Sequence, residues 1–285
     1  MWVRLEAKLL KSLGAIFYTV QDDLVLDFTS MGLKFRRVDP AHVYLADVVV
    51  TPQAFNRYDR SITNDVRVVI DGDDLKSFLK TVKDVELVTI TNTDDGHLIF
   101  ATDRTERTIR TMDNTCYEPP HIPSLSADCV FRMQVADFRN AVKMADDISD
   151  HVIIEVTKGL IRMYATGIND AKVEHKIPNR SISINADVDI VKSMYSIEYL
   201  NLILKSIPSS VKAVKVHMRT NYPIKIEYTF GNFTKKDVVI VRAMMAPRLE
   251  NGGASTPTRT WHPPHTPGNP MLKPEVANRD NTWKV

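Results

Sequence analysis

Residues 8–35, KLLKSLGAIFYTVQDDLVLDFTSMGLKF, recur in outline at 136–163 as ADFRNAVKMADDISDHVIIEVTKGLIRM. Each copy reads as an amphipathic helix, an acidic turn, an alternating strand, a turn carrying Gly-Leu, and a further strand. Gly32-Leu33 matches Gly159-Leu160 at an offset of 127. Downstream, DLKSFLKTV (74–82) superposes on YLNLILKSI (199–207), with Leu75, Phe78, Leu79, Lys80 and Val82 on Leu200, Ile203, Leu204, Lys205 and Ile207 at an offset of 125. Two separate matches at nearly one spacing predict a tandem of two similar α+β domains. In each half the order is strand, helix, strands, helix, strands. Asp71 and Ser196 stand in matching places as N-caps of the second helices.

The predicted domains are 1–113 and 130–250. Between them NTCYEPPHIPSLSADC (114–129) holds three prolines, which remove ladder donors and hold their neighbours extended, so it reads as a connector. Residues 251–285 are rich in Pro, Gly, Asn and Thr without an apolar period, and read as a disordered tail.

Lys and Arg total 37 against 35 Asp and Glu, a net charge of +2, so the placement of charge carries more information than its sum. The four predicted helices repeat one pattern. Leu10, Leu13 and Phe17 form one apolar stripe, and Leu75, Phe78, Leu79 and Val82 the next. Phe138, Ala141, Val142 and Ala145 form the third, and Leu200, Ile203, Leu204 and Ile207 the fourth. Cations lie off each stripe: Lys8 and Lys11; Lys76, Lys80 and Lys83; Arg139 and Lys143; Lys205. One such face is usually just solvated. Four side by side make a band suited to phosphates, positioning a duplex without reading its bases.

No run approaches the roughly 18 apolar residues of a membrane span. Lys8 and Lys11 interrupt any signal-type apolar region, so the chain reads as intracellular. Two cysteines, Cys116 and Cys129, are too few for a disulfide framework and read as reduced, although a bridge between them is conceivable. Nucleotide-binding, zinc-protease, nucleophile-elbow and dinucleotide motifs are absent, and no cofactor is expected. Asp71, Asp73 and Asp74 offer Mg²⁺ ligands for a rival reading as a nuclease, but capping and the helix dipole favour Asp at a helix start anyway. His262 and His265 do not complete a metal site. His42, in GLKFRRVDPAHVYLADV (32–48), has no nucleophile or acid constellation around it and reads as structural or partner-facing.

Several blocks in order carry a family resemblance: GLKFRRVDPAHVYLADV (32–48), DLKSFLK (74–80), YEPPHIPSL (117–125), SDHVIIEV (149–156), YSIEYLNLILK (195–205), YPIKIEY (222–228) and MAPRLE (245–250). Over about residues 1–250 the chain resembles the DNA polymerase sliding clamps of archaea and eukaryotes, the proliferating cell nuclear antigen (PCNA) type. The resemblance implies a DNA-clamp fold, closed head to tail into a three-subunit ring with sheets outside and helices lining a hole for duplex DNA. It implies a non-catalytic processivity factor, opened by a clamp loader and tethering polymerase, ligase or flap nuclease through short peptides. A ring of three different subunits is the alternative. By resemblance Lys11, Lys80, Lys143 and Lys205 align with DNA-facing cations; helical spacing and proximity add Lys76, Lys83, Arg139 and Lys212. The implied peptide pocket uses Val38, His42, Val43, Leu45, Ile122, Pro223, Ala246 and Pro247. The implied subunit edges are RTERTIRTM (104–112) and INDAKVEHKI (168–177). The sequence pI of 8.4 departs from the acidic character common in that family.

Overall fold

A computed structural model describes residues 1–59, 65–115, 117–122, 124–231 and 238–249. The expected tail, Cys116, His262 and His265 lie outside the described residues.

The first half runs β1 (Trp2–Glu6), α1 (Ala7–Phe17), β2 (Asp23–Thr29), β3 (Gly32–Val38), β4 (Tyr44–Val50), β5 (Arg57–Tyr58), β6 (Val66–Asp71), α2 (Gly72–Thr81), β7 (Leu87–Asn92), β8 (His97–Ala101) and β9 (Glu106–Arg110). The second runs β10 (Cys129–Gln134), α3 (Val135–Asp146), β11 (His151–Thr157), β12 (Leu160–Thr166), β13 (Lys172–Pro178), β14 (Ser183–Ile184), β15 (Val191–Ser196), α4 (Ile197–Ser206), β16 (Ala213–Met218), β17 (Ile224–Phe230) and β18 (Val239–Met245). The halves match element for element. Strands β5-β1-β7-β8-β9 form one sheet, and β14-β10-β16-β17-β18 repeat that order in the second half. Strands β6-β2-β3-β4 are repeated by β15-β11-β12-β13 in the same way.

The halves are fused by a seven-residue antiparallel ladder between β4 and β18, from Val50 opposite Val239 to Tyr44 opposite Met245, which makes one nine-stranded sheet. Ala46, Val48, Val50, Val239, Val241 and Ala243 bury one face of this ladder in a continuous core that also holds the stripes of all four helices. On the opposite face Asp47, almost fully buried, accepts from Arg36 Nε at 2.9 Å and from Arg242, directly across the joint, at 2.8 Å. The strands paired on one side only include β9 and β13, the counterparts of β18 and β4.

Two sequence expectations are corrected. The Gly-Leu match at offset 127 is out of step with the fold. Thr29 pairs with Gly32, and Thr157 with Leu160, so equivalent residues here lie 128 apart and Gly32 corresponds to Leu160. The two glycines do different work. Gly32, at φ +112, would drive a Cβ to 2.0 Å from the Val50 carbonyl oxygen, whereas Gly159 has open space around it. The second correction is Ser196. It occupies the N-cap position, but its hydroxyl makes no capping bond. Asp71 does cap, accepting from the Asp73 amide at 2.8 Å.

Candidate functional site

Helix α1 packs against α2 on one side and α4 on the other, and α4 packs against α3, giving one row, α2-α1-α4-α3. The apolar stripes drive this arrangement: Leu13, Phe78, Phe138 and Leu200 are all sealed in the core. The off-stripe cations therefore share one surface, but their surroundings divide them.

Lys11 donates to the Val82 carbonyl at 2.6 Å and to Asp84 at 2.7 Å, so it caps the end of α2. Arg139, its equivalent 128 positions on, donates to the carbonyls of Leu204 (2.7 Å) and Ile207 (3.0 Å) and caps the end of α4. In both halves the cation of the first helix satisfies orphan carbonyls of the second, where the helix dipole also favours positive charge. Lys212 lies in the loop after α4 and donates to the Ser209 carbonyl at 2.9 Å. Lys76 sits 3.9 Å from Asp73 and 5.7 Å from the centre of the Tyr18 ring. Lys80, Lys83, Lys143 and Lys205 are exposed, with no ion pair among the described residues. Acids occupy the first turns of α2, α3 and α4 (Asp73 and Asp74, Asp137, Glu198), while Lys80, Lys143 and Lys205 occupy the last. The surface is thus striped rather than uniformly positive.

The acids at the start of α2 are engaged in the same way. Asp71 caps the helix, and the Asp74 carboxylate is taken by Arg107 of β9. Their bonds hold the helix start and the neighbouring sheet together.

A second surface lies on the side of the fused sheet turned away from the main core. Val38, Leu45 and Met244, adjacent on β3, β4 and β18, form a small buried cluster of their own. Ile122 and Leu125 of the connector pack against it. The rim is built by the loop 39–43. Asp39, itself buried, accepts from the amides of Ala41 (3.1 Å), Val43 (2.8 Å) and Tyr44 (2.6 Å), which folds the loop back on itself. His42 is forced to φ 56, a left-handed conformation that costs a non-glycine residue about 1 kcal/mol. Its Nδ1 is buried without a hydrogen-bond partner. The Ala246 amide donates to the Val43 carbonyl at 2.9 Å, bringing the end of β18 against the loop. Ala246 and Pro247 are buried there, and half-buried Pro223 leads into β17, whose Ile224 pairs with Met245.

The expected pocket residues therefore gather around the joint between the halves. Sequence reasoning did not select Met244, Leu125 or Asp39. Met244 was legible as the residue of the last apolar strand that the pocket's own strand places opposite Leu45. Asp39 carried the signal of an Asp-Pro turn.

Family models described as the PCNA N-terminal domain and the PCNA C-terminal domain match residues 3–116 and 121–247. A DNA polymerase sliding clamp from Archaeoglobus fulgidus is 27% identical over 250 residues, covering 87% of this chain and 98% of the relative. One from Thermoplasma volcanium is 25% identical over 249 residues, with the same coverage. Among solved structures, the C-terminal region of FEN-1 bound to A. fulgidus PCNA superposes with a TM-score of 0.76 at 25% identity, covering 87% of this chain and 98% of that one. PCNA from Thermococcus kodakaraensis superposes with a TM-score of 0.76 at 21% identity, covering 87% and 99%.

Proposed function

The chain belongs to the proliferating cell nuclear antigen family and is a DNA polymerase sliding clamp rather than an enzyme; we propose that three copies close head to tail around duplex DNA. The carrying observation is the fused sheet. The joint inside the chain pairs β18, the last strand of one half, with β4 of the other. Two of the open edges, β9 and β13, are the counterparts of those same strands. A second copy can therefore repeat the internal joint between molecules, and a head-to-tail contact of this kind closes into a ring when its rotation permits. Closure also covers two edges that would otherwise invite mispairing.

On this reading residues 1–113 and 130–250 are the domains, and 114–129 the connector. The helix row lines the hole. Lys80, Lys83, Lys143 and Lys205 are the cations free to track phosphates, with Lys76 and Lys212 at the margin, while Lys11 and Arg139 hold the helices at the correct height. Contacts of this kind are blind to sequence and weaken with salt, which suits sliding.

The pocket over Val38, Leu45 and Met244 takes a short apolar peptide anchor from a polymerase, ligase, flap nuclease or clamp loader, with Ile122 and Pro247 as walls and the loop of His42 as its rim. Among the described residues no helix is long and apolar enough to cross a membrane. We place the protein inside the cell, with the replicating chromosome.

The deciding experiment is topological. Protein loaded onto nicked circular DNA should remain at moderate salt and should run off once the circle is cut. Equal retention on circles and linear DNA would defeat the ring.

A further inference from the structure

The register of the internal joint can be carried across to the joint between copies, because the strand pairings of the two halves correspond. Arg36 lies opposite Asp47, and Tyr164 lies opposite Glu174. Residues 36 and 164 are equivalents 128 apart, so Glu174 stands where Asp47 stands. On the other side of the joint, Glu227 faces Arg242 and Ala101 faces Glu106. Ala101 and Glu227 are equivalent through β7 and β16, where they lie opposite Thr89 and Lys215. Glu106 therefore stands where Arg242 stands.

We propose that the joint between copies repeats the internal register and sets Glu106 of one copy opposite Glu174 of the next. This rests on the ring reading above. Glu174 holds Arg162 of its own domain at 2.5 Å, as Asp47 holds Arg36 at 2.9 Å. Across the internal joint Asp47 meets Arg242; across the joint between copies Glu174 meets a carboxylate. Like charges directly opposed on neighbouring strands are destabilising. The ion-pair latch that locks the two halves is thus replaced, between copies, by a repulsive pair. The face of β9 that would meet β13 is otherwise polar, and Glu106 is exposed in the single chain. A ring built this way parts between subunits, where DNA must enter, and not within one.

The test is a dilution series on the full-length protein, with mass read by sedimentation or light scattering. Glu106→Arg, which rebuilds the Asp47–Arg242 arrangement, should lower the concentration of half-dissociation about tenfold, and Glu106→Gln by a smaller factor in the same direction. Glu174→Gln should remove most of the gain from Glu106→Arg. Since Glu106 is exposed, the melting temperature of the isolated chain should not move. If trimers form and Glu106→Arg dissociates at the wild-type concentration or above it, the register is overturned while the ring stands. If neither the wild type nor Glu106→Arg exceeds a monomer at any concentration, the ring reading falls and the register falls with it.

Discussion

Tyr199, on α4 of the second half, donates a 2.8 Å hydrogen bond to Asp39, in the loop between β3 and β4 of the first half. One hydroxyl thus joins the helix row to the rim of the pocket. Asp39 also gathers three backbone amides, so its orientation sets the position of His42. Burial, reinforced by the adjacent carboxylate, pushes the Tyr199 phenol well above its usual range and keeps it a donor at all physiological pH.

Replacing Tyr199 with Phe should cost about 1.5–3 kcal/mol, the scale for a hydrogen bond to a charged acceptor. Urea unfolding would measure that loss. The same variant should weaken binding of a peptide from the C-terminal region of a flap nuclease, because the His42 rim loses one support. Unchanged peptide affinity by calorimetry would show that the loop is held by its own amide bonds alone.

The cations of the helix row should separate into two classes. Lys80→Ala combined with Lys205→Ala removes two exposed charges and should leave the melting temperature unchanged while weakening retention on circular DNA and flattening its salt dependence. Arg139→Ala should do the reverse first. It strips partners from the Leu204 and Ile207 carbonyls and should destabilise the fold by about 1–3 kcal/mol. Melting curves and DNA retention, measured on both variants, distinguish a phosphate contact from a cap.

That division shows where sequence reading stopped. The tandem repeat and the helix stripes were legible, because apolar periodicity dictates burial and burial dictates packing; the grouping of Val38, Leu45 and Ile122 was implied by the family resemblance alone. The capping roles of Lys11 and Arg139 were not, although the two residues occupy equivalent positions. A basic side chain off an apolar stripe has the same sequence signature whether it reaches solvent or the end of a neighbouring helix. Likewise Gly32-Leu33 and Gly159-Leu160 look like one repeated turn, yet only the ladder reveals the one-residue difference between them. Long-range partners decide these cases, and a single sequence does not print them.

Asp47 predicts the strength of the joint inside the chain. It is 2% exposed at the side chain and bonded by Arg36 and Arg242 from opposite sides of the joint. Asp47→Ala would leave two guanidinium groups without their shared anion and should cost about 3 kcal/mol. Asp47→Asn should cost less, since the amide oxygen still accepts from one arginine. Denaturant midpoints for the pair check both the size and the order, and an Asn variant no better than Ala would assign the effect to charge alone.

The end of the described chain is tied down by an acid whose titration gives a pH dependence. Arg248 bonds Asp150 at 2.6 Å, and the Arg248 amide donates to the Met194 carbonyl at 2.8 Å. The hydrogen bond from Arg248, then that from His151, lowers the Asp150 carboxyl from 3.8 to about 2. A carboxyl whose pKa is lower in the folded state stabilises that state when ionised. Its contribution is complete above the ordinary value of 3.8 and is lost as pH falls through about 2. The pair is largely exposed, so salt should shrink the effect. Protection of the Arg248 amide against hydrogen exchange, corrected for the intrinsic rate, should therefore fall between about pH 4 and pH 2. Asp150→Asn should show the low protection already at neutral pH and lose this dependence. Protection that falls equally in both proteins would place the anchor in the Met194 contact and not in the carboxylate.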